Sequence, residues 1–320
     1  MCPEKVDNQA LYRQLSQLDT EQRNPLSLHI DLADPREIVE CMNFQDALVA
    51  DCVATRKEQI ALAIEKVSKA IEEGGRLIYC GAGTSGRIGV TDAAECPPTF
   101  GTDPSQVVGL IAGGPQAMFV ARENVEDAPE NGEKDIAALK VGARDVVCGL
   151  AASGRTPYVA GCLQKARSRG AYTVMVCCVA ADKSESLPPA DLLIDIPVGP
   201  EVIMGSTRLK SATAQKMVCN MITTGAMIRR GKVYENVMVD LMLTNRKLVE
   251  RAKRIISMFT GLDYEQASWY LNEANGKVKV ALFMALTGMD ASLATKELER
   301  HDGFIRAALL EHERNRARSR

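Results

Sequence analysis

Three short strings of small and hydroxylated residues are the parts of this chain best suited to chemistry. They read Cys80-Gly81-Ala82-Gly83-Thr84-Ser85-Gly86-Arg87, Ala151-Ala152-Ser153-Gly154-Arg155-Thr156-Pro157 and Gly205-Ser206-Thr207-Arg208-Leu209-Lys210-Ser211. Glycine lets a backbone turn tightly and approach a ligand, while serine and threonine offer hydroxyl donors. The first turn of a following helix adds unpaired N–H groups and the positive end of a dipole, and together these hold a phosphate. Helix capping calls for the same residue types. Capping is the simpler account of one such loop, whereas three loops of like chemistry on one sheet are read as a shared anion site. The candidate binding residues are Gly83, Thr84, Ser85, Ser153, Gly154, Arg155, Thr156, Ser206, Thr207 and Lys210. Arg155 suits an anion but equally a surface charge, and Lys210 is placed to neutralise an anion near the third loop.

The run Gly81–Gly86 also satisfies the dinucleotide pattern G-x-G-x-x-G. That pattern needs an acidic residue about twenty positions on, at the end of a second strand. Here that region is Phe100-Gly101-Thr102-Asp103-Pro104, a turn before the second strand. No Gly-Lys-Ser/Thr closes the glycine run, so it is not a nucleoside-triphosphate loop either.

Two acidic strings could move protons. In Asp92-Ala93-Ala94-Glu95-Cys96-Pro97-Pro98-Thr99-Phe100 a carboxylate sits in an apolar, proline-stiffened setting. Desolvation there would raise its pKa and suit it to general-acid work. Glu123-Asn124-Val125-Glu126-Asp127 reads most simply as a solvated helix end. Residue physics alone does not single out either string.

These loops need strands and helices to position them. Short apolar runs occur at Leu77–Cys80, Val107–Ala112, Val146–Leu150, Thr173–Val179 and Leu192–Val198. Several are apolar throughout, as strands covered on both faces of a parallel sheet are. Segments with helical potential separate them, notably Pro115–Glu126 and Pro157–Arg169. The alternation predicts right-handed βαβ units in an α/β, doubly wound parallel sheet. A helix spanning Ala47 to Ile71 precedes the sheet and stops at Gly74-Gly75. Residues 1–44 read as an irregular extension, with Asn24-Pro25 and Asp34-Pro35 as turns. After Gly205 the pattern is helical to the end. One helix is expected from about Thr207 to Arg230, then a small bundle of Glu265–Ala274, Val278–Leu286 and Ala291–Leu298, broken by Gly276, Gly288 and Asp290. The expected division is 1–44, 45–240 and 241–320.

The 320 residues carry 39 Lys+Arg against 41 Asp+Glu, a net charge of -2, which gives no reason to expect nucleic acid as a partner. The locally basic tail, Glu313–Arg320, reads as a solvated, frayed end. No apolar run reaches the ~20 residues that cross a bilayer. The opening Met1-Cys2-Pro3-Glu4-Lys5 lacks the apolar core of a secretory signal, so a cytoplasmic protein is expected. The ten cysteines include no C-x-x-C pair, and His29, His301 and His312 are scattered, so no metal is expected. Cys80, Cys148, Cys177 and Cys178 fall in or beside the apolar runs, where a thiol packs as a small hydrophobe.

Taken together, the loops and acidic strings resemble the N-acetylmuramic acid 6-phosphate etherases of the sugar isomerase (SIS) family. The matching strings are Gly74–Gly86, Asp92–Phe100, Val107–Gly114, Ala151–Val159, Val198–Gln215 and Gly231–Asp240, in the family's order and spacing. The likeness spans roughly residues 20–310. Thr260-Gly261, Glu265-Gln266-Ala267 and Gly276–Met284 resemble the ubiquitin-associated-like helical unit that ends these etherases. The resemblance implies cleavage of the lactyl ether of N-acetylmuramic acid 6-phosphate, giving N-acetylglucosamine 6-phosphate and D-lactate in cell-wall sugar recycling. It implies Glu95 as the acid for the lactyl oxygen and Glu126 as the base at C2, with no cofactor. The family reads V-E-G-A-E-D around the second glutamate, and this chain departs at Arg122, Asn124 and Val125. Spacing from Glu95 favours Glu126 over Glu123. The resemblance also implies a 6-phosphate held among Ser85, Ser153 and Thr156, with Ser206 and Thr207 nearby. Two other readings use the same loops, a phosphosugar-binding regulator like glucokinase regulatory protein and an aldose–ketose isomerase. The Glu-Cys-Pro-Pro string points to the etherase.

One geometric expectation follows. A helix from Pro115 rises ~1.5 Å per residue away from the strand ends and would carry Glu126 with it. Glu126 would then not reach the loops of its own chain. A homodimer with sites at or near the interface is therefore expected.

Overall fold

The computed structural model describes residues 16, 18–122, 124–183 and 187–318. The chain divides into two compact units. The first holds the residues up to Ala94 together with Ser105–Thr223, and the second holds Glu95–Pro104 with Thr224 onward.

The first unit is built on five parallel strands, β1 (Leu77–Gly81), β2 (Val107–Ile111), β3 (Val146–Leu150), β4 (Tyr172–Cys177) and β5 (Leu192–Asp195), in the order β2-β1-β3-β4-β5. β1 and β3 are buried at every position, which is why they read as unbroken apolar runs. All five strands stand where the sequence predicts them. The nine described cysteines are free, and Cys80, Cys148, Cys177 and Cys178 are buried.

The segment before the sheet differs from expectation. Instead of an irregular stretch followed by one helix, there are two helices, α1 (Pro35–Ala54) and α2 (Lys57–Glu72). Asp34-Pro35 is not a turn. Asp34 accepts from the N–H groups of Arg36 and Glu37, Glu37 returns the bond to the Asp34 N–H, and Pro35 fills the first helical position. The break falls at Arg56 (φ −118°, ψ 24°). Its guanidinium leaves the helix line to pair with both oxygens of Asp195 at the end of β5, at 2.8 and 3.1 Å.

The remaining helices of this unit are α3 (Gly83–Phe100, which continues into the second unit), α4 (Pro129–Ala138), α5 (Pro157–Ser168) and α6 (Lys210–Arg229, which also continues). Of the helix predicted over Pro115–Glu126, only a four-residue 3-10 turn exists, Pro115–Met118. The cause is Arg87, whose Nε and Nη2 take the carbonyls of Met118 and Ala117 at 3.0 and 2.8 Å. A continuing α-helix would have given those carbonyls to the N–H groups four residues on. Asn124 then turns the chain at a φ of 63°.

The second unit is not helical throughout. A short antiparallel hairpin, β6 (Val233–Tyr234) and β7 (Val237–Met238), interrupts it, with Glu235 at a φ of 52°. Five helices follow: α7 (Arg246–Thr260), α8 (Tyr264–Glu273), α9 (Val278–Thr287), α10 (Ala291–Arg300) and α11 (Ile305–Arg318). The three middle ones are those predicted. Their breaks are sequence-coded: Gly288 ends α9 in the left-handed region, and Asp263 and Asp290 cap α8 and α10. Phe283, Leu282 and Ile256, all fully buried, centre the core of this unit. The basic tail is exposed as expected but helical rather than frayed as far as Arg318.

Candidate active site

Strand order locates the site. The chain runs from β1 to β2 on one side, then returns to place β3 on the other side of β1. Such a reversal opens a crevice beyond the carboxyl ends of the two strands, where ligands of open α/β sheets bind. Gly81 pairs in register with Leu150, so β1 and β3 end side by side. The first and second hydroxylated loops start from those two ends.

The first loop is tight where Gly81 and Gly86 meet. A Cβ on Gly86 would lie 2.6 Å from the Gly81 carbonyl oxygen, whereas Gly83, at a φ of 51°, faces open space. Ser85, one turn into α3, donates from Oγ to the Gln215 side-chain oxygen at 2.7 Å. Thr84 and Ser85 are half-buried, and Gly83 is exposed at the helix start.

In the second loop Gly154 turns at a φ of 75°, and a Cβ there would lie 2.4 Å from Leu187 Cδ2. Thr156 occupies the cap position of α5, yet its side chain makes no capping bond. Ser153, Arg155 and Thr156 are half-buried. This loop therefore carries capping residue types without spending its threonine on a cap.

The acidic segment lies against both of these loops. Arg87, on the first turns of α3, holds the Pro115–Met118 turn by its carbonyls. At the other end, the Glu126 carbonyl accepts from the Tyr158 N–H at 2.9 Å, at the second position of α5. Between them, Gly113 allows the chain to fold back, since a Cβ there would lie 3.1 Å from Arg122 Cδ and 3.3 Å from Val125 Cγ2. Glu126 is thus anchored at the start of α5 in its own chain, with its side chain exposed. The far-from-the-loops placement that motivated an inter-subunit site does not hold, because the helix on which it depended does not form. Glu123 lies outside the described residues.

The third loop is different. The buried carboxylate of Glu201 accepts from the Lys210 N–H at 3.0 Å, the Ser211 N–H at 3.0 Å and the Ser211 hydroxyl at 2.8 Å. The start of α6 therefore already holds an anion, and it belongs to the protein. Lys210 is buried as well. Its ammonium donates to Gln45 Oε1 and the Val198 carbonyl, both at 2.8 Å, and burial lowers its pKa. It is spent on packing rather than presented to a ligand. Ser206 and Thr207 are half-buried, in a turn where the Ser206 N–H donates to Ile203 and the Thr207 N–H to Gly205.

The first acidic string also departs from expectation. Glu95 is exposed rather than held in an apolar setting. Asp92, one turn earlier on α3, is the buried acid of the string. Burial raises its pKa, partly offset by donors: Asn220 Nδ2 at 2.5 Å, Thr223 Oγ1 at 3.3 Å, and the Tyr79 hydroxyl. Pro97 and Pro98 lie inside the helix, and it ends at Gly101, where a Cβ would stand 2.3 Å from the Asp240 carbonyl oxygen. Sequence reasoning passed over Glu201, Gln215 and Arg87. Glu201 and Gln215 lie in the quoted string Val198–Gln215, but no spacing rule links a carboxylate to a helix start nine residues on.

The chain is similar to several known proteins. A family model described as the glucokinase regulatory protein N-terminal SIS domain matches residues 59–167. An N-acetylmuramic acid 6-phosphate etherase of Lactobacillus johnsonii is 54% identical over 91% of this chain and 97% of its own length. One of Salinibacter ruber is 50% identical over 96% of this chain and 98% of its own. Among solved structures, phosphoheptose isomerase from Neisseria gonorrhoeae superposes with a TM-score of 0.44 at 17% identity, covering 60% of this chain and 100% of that one.

Proposed function

The chain belongs to the N-acetylmuramic acid 6-phosphate etherase family, and from that membership we propose that it cleaves the D-lactyl ether of N-acetylmuramic acid 6-phosphate. Water enters, and the products are N-acetylglucosamine 6-phosphate and D-lactate, as in the recycling of cell-wall sugar. The observation that carries this reading is the etherase likeness over nearly the whole chain.

The chemistry is an elimination followed by a hydration. Opening the sugar ring exposes the C1 aldehyde and makes the C2 proton acidic. Glu126 removes that proton. The C3–O bond breaks, and Glu95 gives the lactyl oxygen a proton, because an alkoxide is too basic to leave unaided. Water then adds across the C2=C3 bond, restoring both carboxyl groups to their starting states. General acid–base assistance of this kind contributes ~10²–10⁴-fold. Both glutamates are solvent-exposed, so water can reach them for the second step. Ser85, Ser153 and Thr156 hold the 6-phosphate, supported by Gly83, Thr84 and Gly154, and Arg155 pairs with the phosphate or the lactyl carboxylate. Ser206 and Thr207 close the far side. Glu201 already occupies the helix start beside them, so they act through their hydroxyls.

The protein works in this reading as a cytoplasmic homodimer. The test is one preparation, first weighed by light scattering and then assayed for D-lactate release from N-acetylmuramic acid 6-phosphate. We expect a dimer that releases D-lactate. Glu95→Gln should bind the product normally and release none. Isomerisation of fructose 6-phosphate without lactate would overturn the reading.

A further inference from the structure

Gln215 is fully buried on the second turn of α6 and points at the first loop. Its side-chain oxygen accepts from Ser85 Oγ at 2.7 Å. Its Nε2, equally buried, has no hydrogen-bond partner among the described residues. A buried amide N–H without an acceptor is costly, because it gave up its hydrogen bonds to water. α6 has little freedom to relieve this, because Glu201 fastens its first residues and Lys210 ties it to Gln45 and Val198.

The arrangement also conflicts with the part proposed for Ser85. A hydroxyl has one proton. While Ser85 donates it to Gln215, only lone pairs remain for a ligand, and a phosphate dianion is itself an acceptor. A half-turn of the Gln215 amide resolves the conflict. Nε2 then donates to Ser85 Oγ, the Ser85 proton is released toward the ligand, and the amide nitrogen gains the acceptor it lacks. The exchange leaves the amide oxygen short of a donor instead. An anion that accepts the released Ser85 proton favours the second setting.

We propose that Gln215 is a positioning residue for the phosphate, acting through Ser85 by setting the direction of its hydroxyl proton. This rests on Ser85 being a phosphate contact, as read above. It predicts an order among variants that a purely structural role does not. Gln215→Leu removes the amide but leaves the Ser85 proton free to turn. Gln215→Glu fixes that proton on a carboxylate and adds a negative charge beside the phosphate.

The experiment measures calorimetric affinity for N-acetylglucosamine 6-phosphate, with N-acetylglucosamine as the control lacking phosphate. It uses the full-length wild type, Ser85→Ala, Gln215→Leu, Gln215→Glu and the double variant Ser85→Ala/Gln215→Leu. Thermal melts confirm that each is folded. Affinity for the phosphorylated sugar should fall about tenfold in Gln215→Leu, because the Ser85 hydroxyl is no longer held with its proton toward the phosphate. It should fall further in Gln215→Glu, and no further in the double variant than in Ser85→Ala alone. Additive losses in the double variant, or Gln215→Leu at wild-type affinity while Ser85→Ala is weakened, would overturn the role of Gln215. If Ser85→Ala itself binds like the wild type, the phosphate reading of the first loop fails and this inference fails with it. Should Gln215→Glu not fold, Gln215→Leu and the double variant still decide.

Discussion

The helices starting at Pro157 and at Lys210 follow loops of the same composition, yet their ends are chemically opposite. At α5 the cap residue, Thr156, leaves its hydroxyl unused in capping, and Glu126 reaches the helix start through a backbone carbonyl. At α6 the carboxylate of Glu201 takes two backbone N–H groups and a hydroxyl. A helix start attracts an anion through its free N–H groups and its dipole. One of these ends has met that demand internally, and the other keeps, beside a glycine turn, a threonine hydroxyl that makes no capping bond. Loop composition marks where an anion is favoured and leaves open whether the protein supplies it.

Removing the internal anion should have the largest effect. Glu201→Ala strands the Lys210 and Ser211 N–H groups and the Ser211 hydroxyl in a buried place. It also takes a negative charge from beside the buried Lys210 ammonium. The expected loss of unfolding free energy in urea is about 3–4 kcal/mol. A loss under about 1 kcal/mol would mean that water serves this helix end as well as the carboxylate does, and the contrast with α5 would disappear.

Thr156→Ala probes the other end, with a smaller effect of a different kind. A threonine that caps a helix loses about 1 kcal/mol of stability on such a change. Because Thr156 makes no capping bond, stability should shift by less than about 0.5 kcal/mol. Affinity for N-acetylglucosamine 6-phosphate should instead fall about tenfold. The reverse pattern, a lost kilocalorie with affinity intact, would return Thr156 to the role of a simple cap.

The two ends also show how far the sequence could be read. The strands were legible because burial on both faces leaves a local trace, unbroken apolar runs such as Leu77–Cys80. The helix boundaries at Gly288 and Asp290 were legible because caps act within a few residues. The helix read over Pro115–Glu126 failed for a non-local reason: Arg87, some thirty residues earlier, takes its carbonyls. The break at Arg56 depends in the same way on Asp195. In the candidate site the hydroxyls were visible, and their partners Glu201 and Gln215 were not, because those pairings exist only once the sheet has brought the segments together. Among the acids, the string Asp92–Phe100 announced a desolvated carboxylate, but helix phase decided that it is Asp92 and leaves Glu95 in water.

That helix phase gives the smallest effect expected, and it has a definite sign. Asp92 and Asp145 are both buried carboxylates with different company. At Asp92 burial raises the pKa, and the donors Asn220, Thr223 and Tyr79 do not undo it. At Asp145 burial also pushes upward, but the bonds from Arg76 and the Gly142 N–H prevail and hold the pKa below the ordinary carboxylate value. A group whose pKa rises on folding takes up a proton as the chain folds. The contribution of Asp92 is therefore fully present below the unfolded value, about 3.9, and is lost as pH rises through its folded value. That of Asp145 is present above the unfolded value and lost as pH falls through its folded one. Urea midpoints measured from acid to neutral pH should separate the two. Asp92→Asn should gain on the wild type as pH rises, because the variant no longer has a carboxyl to ionise in the core. Asp145→Asn should fall further behind over the same range, because it forfeits a pairing with Arg76 that strengthens as the carboxyl ionises. Parallel curves for wild type and Asp92→Asn would show that the donors around Asp92 fully offset the cost of burying its charge.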